Sequence, residues 1–271
     1  VLIGLIAGAV AVGYWQAALT ASALVTSTQV LMIGLGPRLI SGGTQKDLDV
    51  ALNFSMMIVI PSFFGFIVLS KDILWILRPT YAEVWIIACI FALRGVIGIF
   101  GGISSTAITA KDEFDTHDDI SVKDFIRSRI FLLNKINLIL SCLYIGTVAS
   151  FLILAQNTGK DMIKTITIIS ILSLIFTVIS TLIAIHLMRR FTTLELTCQP
   201  LSKYIVASCI MAAIVYLLRT LLRPPLNILE AIRTVFLLTI VGALTYGLIL
   251  YPISKEFRNY LKETFSYIKK I

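Results

Sequence analysis

An all-α, polytopic transmembrane helical bundle of about eight spans is the fold class this sequence predicts, and three observations predict it. The 271 residues are 58% hydrophobic and 14% charged, with a mean hydropathy of +0.94. A water-soluble chain of that length needs far more polar surface, because apolar side chains then hide only inside. Apolar runs also recur at the length of about 20 residues that carries a helix across a hydrocarbon core about 30 Å thick. Finally, no alternating strand pattern points to a barrel, so backbone groups facing lipid must pair within helices.

The first apolar stretch, Val1 to Pro37, is nearly twice as long as one span, about 55 Å as a straight helix. It must break, and the glycine-rich region Gly8 to Gly13 is the expected place. That leaves a clipped first span ending near Val10 and a second over Tyr14 to Leu35, stopped by Gly36-Pro37. A polar segment, Ser41 to Asp49, leads to a third span, Leu52 to Ser70. Pro61 sits in its middle, where it removes one backbone hydrogen bond and predicts a kink. Lys71, Asp72, Arg78 and Pro79 mark the exit.

The fourth span is expected over Val84 to Ala110 and the fifth, after a charged loop Lys111 to Arg129, over Ile130 to Gln156. A turn at Asn157 to Lys160 precedes the sixth, Ile163 to Met188, which Arg189-Arg190 closes. A semi-polar stretch to Ser202 is read as lying along the membrane surface. The seventh span is Tyr204 to Leu222, broken by Pro224-Pro225, and the eighth is Ile232 to Ile253. In the tail, Phe257, Leu261, Phe265 and Ile268 recur at helical spacing among charges, so 255–271 reads as an amphipathic surface helix. The chain thus divides into 1–190, a six-helix lobe with its first span clipped, 191–254, two further spans, and the tail. Val1 already lies in an apolar run with no initiator Met and no basic leader, which suggests that an N-terminal part is absent.

The net charge of +8 does not point to nucleic acid, because the basic residues gather at helix ends, where lipid headgroups and the positive-inside bias explain them. One side collects Arg38, Lys46, Lys111, Lys123, Arg127, Arg129, Arg189, Arg190, Lys203 and the tail lysines and arginine. The other holds Lys71, Arg78, Lys160, Lys164, Arg219, Arg223 and Arg233, a two-to-one bias that predicts a cytoplasmic C-terminus. Cys89, Cys142, Cys198 and Cys209 are scattered, without metal-ligand spacing or a disulfide framework.

Three segments in order carry a resemblance. They are Val12-Gly13-Tyr14-Trp15-Gln16-Ala17-Ala18; Gly36-Pro37-Arg38-Leu39-Ile40-Ser41 with Asp47 and a proline-bearing span behind it; and Gln199-Pro200-Leu201-Ser202-Lys203-Tyr204 running to Ser208-Cys209-Ile210-Met211-Ala212. Together they resemble the C-terminal half of the polysaccharide and oligosaccharide-lipid flippases, in the MATE-like superfamily of multidrug, lipid-oligosaccharide and polysaccharide exporters. The resemblance covers nearly the whole chain; the loop Lys111 to Arg129 departs from it, being longer and more acidic. It implies a 14-span fold of two lobes plus a terminal pair, of which this chain would supply spans 7 to 14. It also implies alternating access, a lipid-linked glycan as cargo, membrane lipids and an N-terminal lobe as partners, and neither cofactor nor catalytic step.

Among individual residues Arg94 is the sharpest. It lies about ten residues into the fourth span, where an arginine costs roughly 2.5 to 3.5 kcal/mol on the lenient insertion scale. A cavity that holds phosphate offsets that cost, because guanidinium binds phosphate bidentately; the plain alternative is a structural partner on a neighbouring helix. Lys135, with Asn134 and Asn137 beside it, is placed at the cytoplasmic mouth of the cavity or snorkelling from it. Gln29 and Arg38 are the further candidates for substrate contact, Gln29 also serving as a plain interhelical hydrogen bond. Gly95, Gly98, Gly101 and Gly102, and the Gly4-to-Gly8 pair, read as close helix packing. The acidic run Asp112 to Asp119 lacks the ligand pattern of a calcium loop, and His186 reads as interfacial. No metal site is expected.

The expected function is therefore transport rather than catalysis: flipping of a lipid-linked, polyprenyl-phosphate type oligosaccharide or polysaccharide unit across the cell membrane. A multidrug or cation antiporter is the alternative, and would need an Asp or Glu inside a span, of which the boundaries above contain none. A glycan-processing membrane enzyme would need loops rich in acid/base or metal-binding residues, and two histidines with short loops make a poor case for one.

Overall fold

A computed structural model describes residues 2–27, 44–110, 126, 128–157, 162–192, 194, 201–222, 225, 227–259 and 262. The described residues form an all-α bundle. In chain order its helices are α1 (Leu2–Thr26), α2 (Gln45–Leu77), α3 (Trp85–Ala110), α4 (Arg129–Asn157), α5 (Met162–Phe191), α6 (Leu201–Leu221) and α7 (Ile228–Ile253), with a 3-10 helix, Pro79–Val84, between α2 and α3. Among the described residues, seven helical stretches are long and apolar enough to cross a membrane. The chain is a multi-pass transmembrane protein.

The long first stretch does break, and it breaks at Gly8, whose φ of 84° interrupts the helical backbone of α1. That left-handed conformation is open to glycine and strained for other residues. The candidate span starts there, Gly8–Thr26, so the clipped first span expected before Val10 contributes only a short helical segment. Gly8 thus acts as a break, with nothing within 4 Å of where its Cβ would stand, rather than as a packing surface.

The third expected span was drawn too short. α2 begins at Gln45, where the Thr44 N–H donates to the Asp47 carboxylate at 2.9 Å, an N-terminal cap that satisfies one orphan amide. It continues past Lys71 and Asp72 to Leu77. The charges do not end it because both find partners: Asp72 accepts a two-pronged bond from Arg219 of α6, and the Lys71 ammonium lies 4.9 Å from the centre of the Trp85 ring. Contrary to the expectation that the spans hold no Asp or Glu, Asp72 is buried inside the candidate span Gln45–Leu77.

Successive helices run in alternating directions. Arg219 near the end of α6 meets Asp72 near the end of α2, while at the opposite, tail end Arg129 at the start of α4 donates to the Phe191 carbonyl closing α5 at 3.0 Å. α3 and α5 make the most extensive contact, α2 packs on α6 and α7, and α1 lies against α2 and α3. The α1 face turned inward is built from Ala11, Ala17, Ala18, Ala21 and Ser22, and α3 answers with Ala88, Ala92 and Gly95. Small residues let backbones approach where lipid removes most of the hydrophobic incentive for helices to pair. A Cβ on Gly95 would overlap the Thr26 methyl. Trp15 and Phe91, ring centroids 4.7 Å apart at 78°, and Tyr14 and Tyr81, 5.7 Å apart at 74°, lock the same seam edge-to-face.

α4 is attached differently. Only Leu133, Val148 and Leu152 of its described side chains are buried, and most of its circumference is exposed. Val148 and Leu152 close on Ile169 of α5 in a small separate cluster, with Trp15, Tyr144 and Phe151 at its edge. Between that cluster and the Arg129 tether the helix stands away from α3, and the gap is the site described next.

The tail begins with a turn of helix, residues 255–259. Buried Ser254 joins the two helices, its N–H donating to the Leu250 carbonyl at 2.9 Å and its Oγ accepting from the Phe257 N–H at 3.2 Å. Phe257 turns back onto the core, in line with its expected apolar face. Leu261, Phe265 and Ile268 lie outside the described residues.

Candidate functional site

A polar cleft of about 370 Å³ opens between α3, α4 and α5. Arg94, Gly98, Gly101, Gly102 and Ser105 supply the α3 wall; Asn137, Ser141 and Tyr144 the α4 wall; Ser173, Thr177, Ser180 and Thr181 the α5 wall. Each set follows helical periodicity, recurring every three or four residues apart from the adjacent pairs Gly101-Gly102 and Ser180-Thr181, so each is one stripe of one helix face. Glycines on α3 serve two purposes. Gly101 allows contact with α5, since its Cβ would stand 3.0 Å from Thr181 Oγ1 and 3.6 Å from Thr181 Cα, whereas the place of a Gly102 Cβ is empty to 4 Å and leaves room in the cleft.

Arg94 stands about 14 Å along α3 from Trp85, at 1.5 Å per residue, deep within the span. Its Nη1 donates to Ser173 Oγ at 2.9 Å. Among the described residues no carboxylate pairs with it, although a guanidinium carries five donors. Further along, Ser180 Oγ donates to Asn137 Oδ1 at 3.3 Å and ties α5 to α4. Ser141 and Thr177 hydroxyls donate to carbonyls four residues back, at 2.8 Å and 2.9 Å, which leaves their oxygen lone pairs facing the cleft as acceptors. Tyr144 and Phe176, 5.5 Å apart and edge-to-face, wall the Arg94 end. The cleft therefore offers one fixed cation with spare donors beside a ladder of neutral hydroxyl and amide groups. Such a lining suits an anionic group carrying further hydroxyls.

Of the residues singled out from sequence, Arg94 lines this cleft. Lys135 does not: it is exposed on α4 and outside the lining, while its neighbour Asn137 is inside. Gln29 and Arg38 lie outside the described residues, as does the acidic run Asp112 to Asp119. His186 is exposed on α5. Among the described residues no group of three or more His, Cys, Asp or Glu side chains is placed to hold a metal. Sequence reading missed Ser173, Thr177 and Ser180, whose signal was there: a 4–3 stripe of small hydroxyl residues on α5 matching Arg94-Gly98-Gly101 on α3 and Asn137-Ser141-Tyr144 on α4. Asp72 and Arg219 were missed as a pair because each sits at the charged end of its own apolar run, 147 residues apart.

No protein-family model, no curated protein and no solved structure matches the chain.

Proposed function

We propose that the protein flips a lipid-linked, phosphate-bearing glycan across the cell membrane by alternating access, without a catalytic step. The observation that carries this reading is Arg94, a cation at span depth whose one described partner is the neutral Ser173 hydroxyl, in a cleft otherwise lined by hydroxyls and amides. A phosphate diester or pyrophosphate neutralises the guanidinium, and the Asn137, Ser141 and Thr177 groups exchange hydrogen bonds with sugar hydroxyls. The segments that resemble oligosaccharide-lipid flippases favour the same cargo. In this reading an N-terminal lobe supplies the opposing wall of the path, and the C-terminus lies in the cytoplasm, where the basic helix ends gather.

Transport of a fluorescent polyprenyl-pyrophosphate oligosaccharide in liposomes tests it, wild type beside Arg94→Ala and Arg94→Lys. Transport in the wild type, lost in Arg94→Ala with folding intact and partly kept in Arg94→Lys, is the expected result. A wild type that moves no lipid-linked sugar removes the reading.

Cation-coupled antiport is the second reading, favoured by one observation: Asp72 is a buried carboxylate within a span. Its engagement by Arg219 through two hydrogen bonds, at 2.5 and 2.7 Å, weakens it as a free cation ligand. Ion-gradient dependence of transport that disappears in Asp72→Asn would favour antiport.

A further inference from the structure

A second cavity, on the opposite flank of the bundle, has the reverse character. It is an apolar groove of about 650 Å³ between α2, α6 and α7, with Leu24 of α1 at its edge. Pro61 and Gly65 on α2 line it and present little side-chain volume, and a Cβ at Gly65 would still stand 3.8 Å from the Met211 terminal methyl of α6. Gly242 on α7 also lines it, but there a Cβ would come within 3.2 Å of Val215, so that glycine serves the contact of α7 with α6. Ile232 and Phe236 on the α7 wall are exposed, so the groove opens sideways into the lipid-facing surface.

The groove has three hydroxyls in its lining, and each donates its proton within the protein. Ser62 Oγ donates to the Ile58 carbonyl at 2.7 Å, Thr239 Oγ1 to the Val235 carbonyl at 2.8 Å and Tyr246 Oη to the Met57 carbonyl at 2.9 Å. With its donors satisfied, this surface asks for hydrocarbon rather than for a polar ligand.

The tail end of the groove changes character within one residue. Phe257 lines the groove and packs on the core, while Lys255 and Arg258 flank it along the chain. Lys203, at the start of α6, is close enough to act electrostatically on Glu256. Lys203 and Lys255 therefore act on one carboxylate, with Arg258 two residues further along the chain, and that carboxylate already accepts from Ser254 Oγ at 2.8 Å. The cluster keeps an excess of two positive charges at the level where a membrane presents headgroups.

We propose that this groove holds an anionic membrane phospholipid of the leaflet on the tail side, one acyl chain between α2 and α7 and the headgroup phosphate on Lys203, Lys255 and Arg258. The lipid is resident, not cargo: it fills the space beside Gly65 and Pro61 and ties the tail turn to α6 and α7. A neutral lipid supplies the chain but leaves the cationic rim without its counter-charge. The inference stands apart from the transport reading, since the cleft at Arg94 shares no lining residue with the groove.

Native mass spectrometry and thermal unfolding of the purified full-length protein in neutral detergent test this, with dioleoyl phosphatidylglycerol or dioleoyl phosphatidylcholine added. Retention of phosphatidylglycerol with a raised unfolding midpoint, and little of either with phosphatidylcholine, is expected. The triple variant Lys203→Gln, Lys255→Gln, Arg258→Gln should bind phosphatidylglycerol about tenfold more weakly, or worse, given the contribution of each basic residue near a headgroup. Gly65→Leu, which fills the groove, should bind it similarly poorly. Arg189→Gln with Arg190→Gln removes charge from the same end of the bundle away from the groove and should leave binding unchanged.

Equal loss in that control reduces the effect to general surface potential and overturns the proposal. So does equal binding of phosphatidylcholine. Displacement of phosphatidylglycerol by stoichiometric polyprenyl phosphate would make the groove a cargo site and overturn it too. If Gly65→Leu fails to fold, the two charge variants still decide.

Discussion

Tyr246 of α7 donates its phenolic hydroxyl to the main-chain carbonyl of Met57 in α2, at 2.9 Å. Met57 is four residues before Pro61, and proline has no N–H to return to it. The carbonyl released by the proline is thus taken up by a neighbouring helix, and the backbone defect becomes an interhelical bond. Tyr246→Phe should cost about 1–2 kcal/mol in reversible unfolding, the usual penalty for stranding a buried acceptor. Pro61→Ala restores an amide for Met57, so the double variant should lose much less from the Tyr246 change. A thermodynamic cycle over the four proteins measures this, and full additivity would refute it.

Asp72 and Arg219 form the other strong link between α2 and its partners. Asp72→Ala leaves a guanidinium at the bundle edge without its carboxylate, and should destabilise by about 3 kcal/mol, the low end for breaking a buried pair because Arg219 is partly exposed. The exchange Asp72→Arg with Arg219→Asp should recover part of that loss. A detergent-unfolding midpoint that stays put in Asp72→Ala would show the pair to be energetically idle.

The α3 glycines should separate cleanly on substitution. Gly95→Ala drives a methyl into Thr26 and should cost about 1–3 kcal/mol by overpacking. Gly102→Ala meets open space and, by replacing glycine within a helix, should be neutral or stabilising by up to about 1 kcal/mol. Thermal midpoints of the two variants, side by side, check the ordering.

These contrasts also mark what the sequence could and could not convey. Apolar run length placed the helices, because spanning lipid is a one-dimensional constraint; the excess length of Val1 to Pro37 required a break, and its glycines narrowed the place to Gly8 to Gly13, of which the structure uses Gly8. Run length failed at the ends of α2, because Lys71 and Asp72 look like a boundary until Trp85 and Arg219 are known to receive them. Arg94 was legible as a costly residue at depth, yet depth carries no azimuth. Ser173, 79 residues away, became its partner only through the contact of α3 with α5. Lys135 illustrates the same point in reverse, since on α4 a two-residue shift separates it from Asn137, which faces the cleft.

Acid should loosen the tail turn. The carboxyl of Glu256 is held below its ordinary value by its own backbone amide first, then by Ser254, with Lys203 and Lys255 adding to it and partial burial opposing. For a depressed carboxylate the stabilisation is fully present above the unfolded value of about 4.3 and fades as pH falls through the lower folded value. Amide hydrogen exchange at residues 254–259, corrected for intrinsic rate, should therefore be slow at pH 6 and accelerate below about pH 4. Glu256→Gln should flatten that dependence, and an unchanged profile would count against this cap.

The uneven attachment of the helices bears on how the chain enters a bilayer in the first place. α4 gives up little of its surface to neighbours, so its partition from the translocon into lipid must rest on its own apolarity, which is ample. The candidate span within α1, Gly8–Thr26, is the least apolar of the seven, and its inward face is built largely of alanines that pair with α3. Its residence in the membrane is therefore cooperative with a helix synthesised later. A nascent chain stopped before α3 should leave α1 incompletely inserted, and biogenesis at this end of the chain becomes a matter of waiting for a partner.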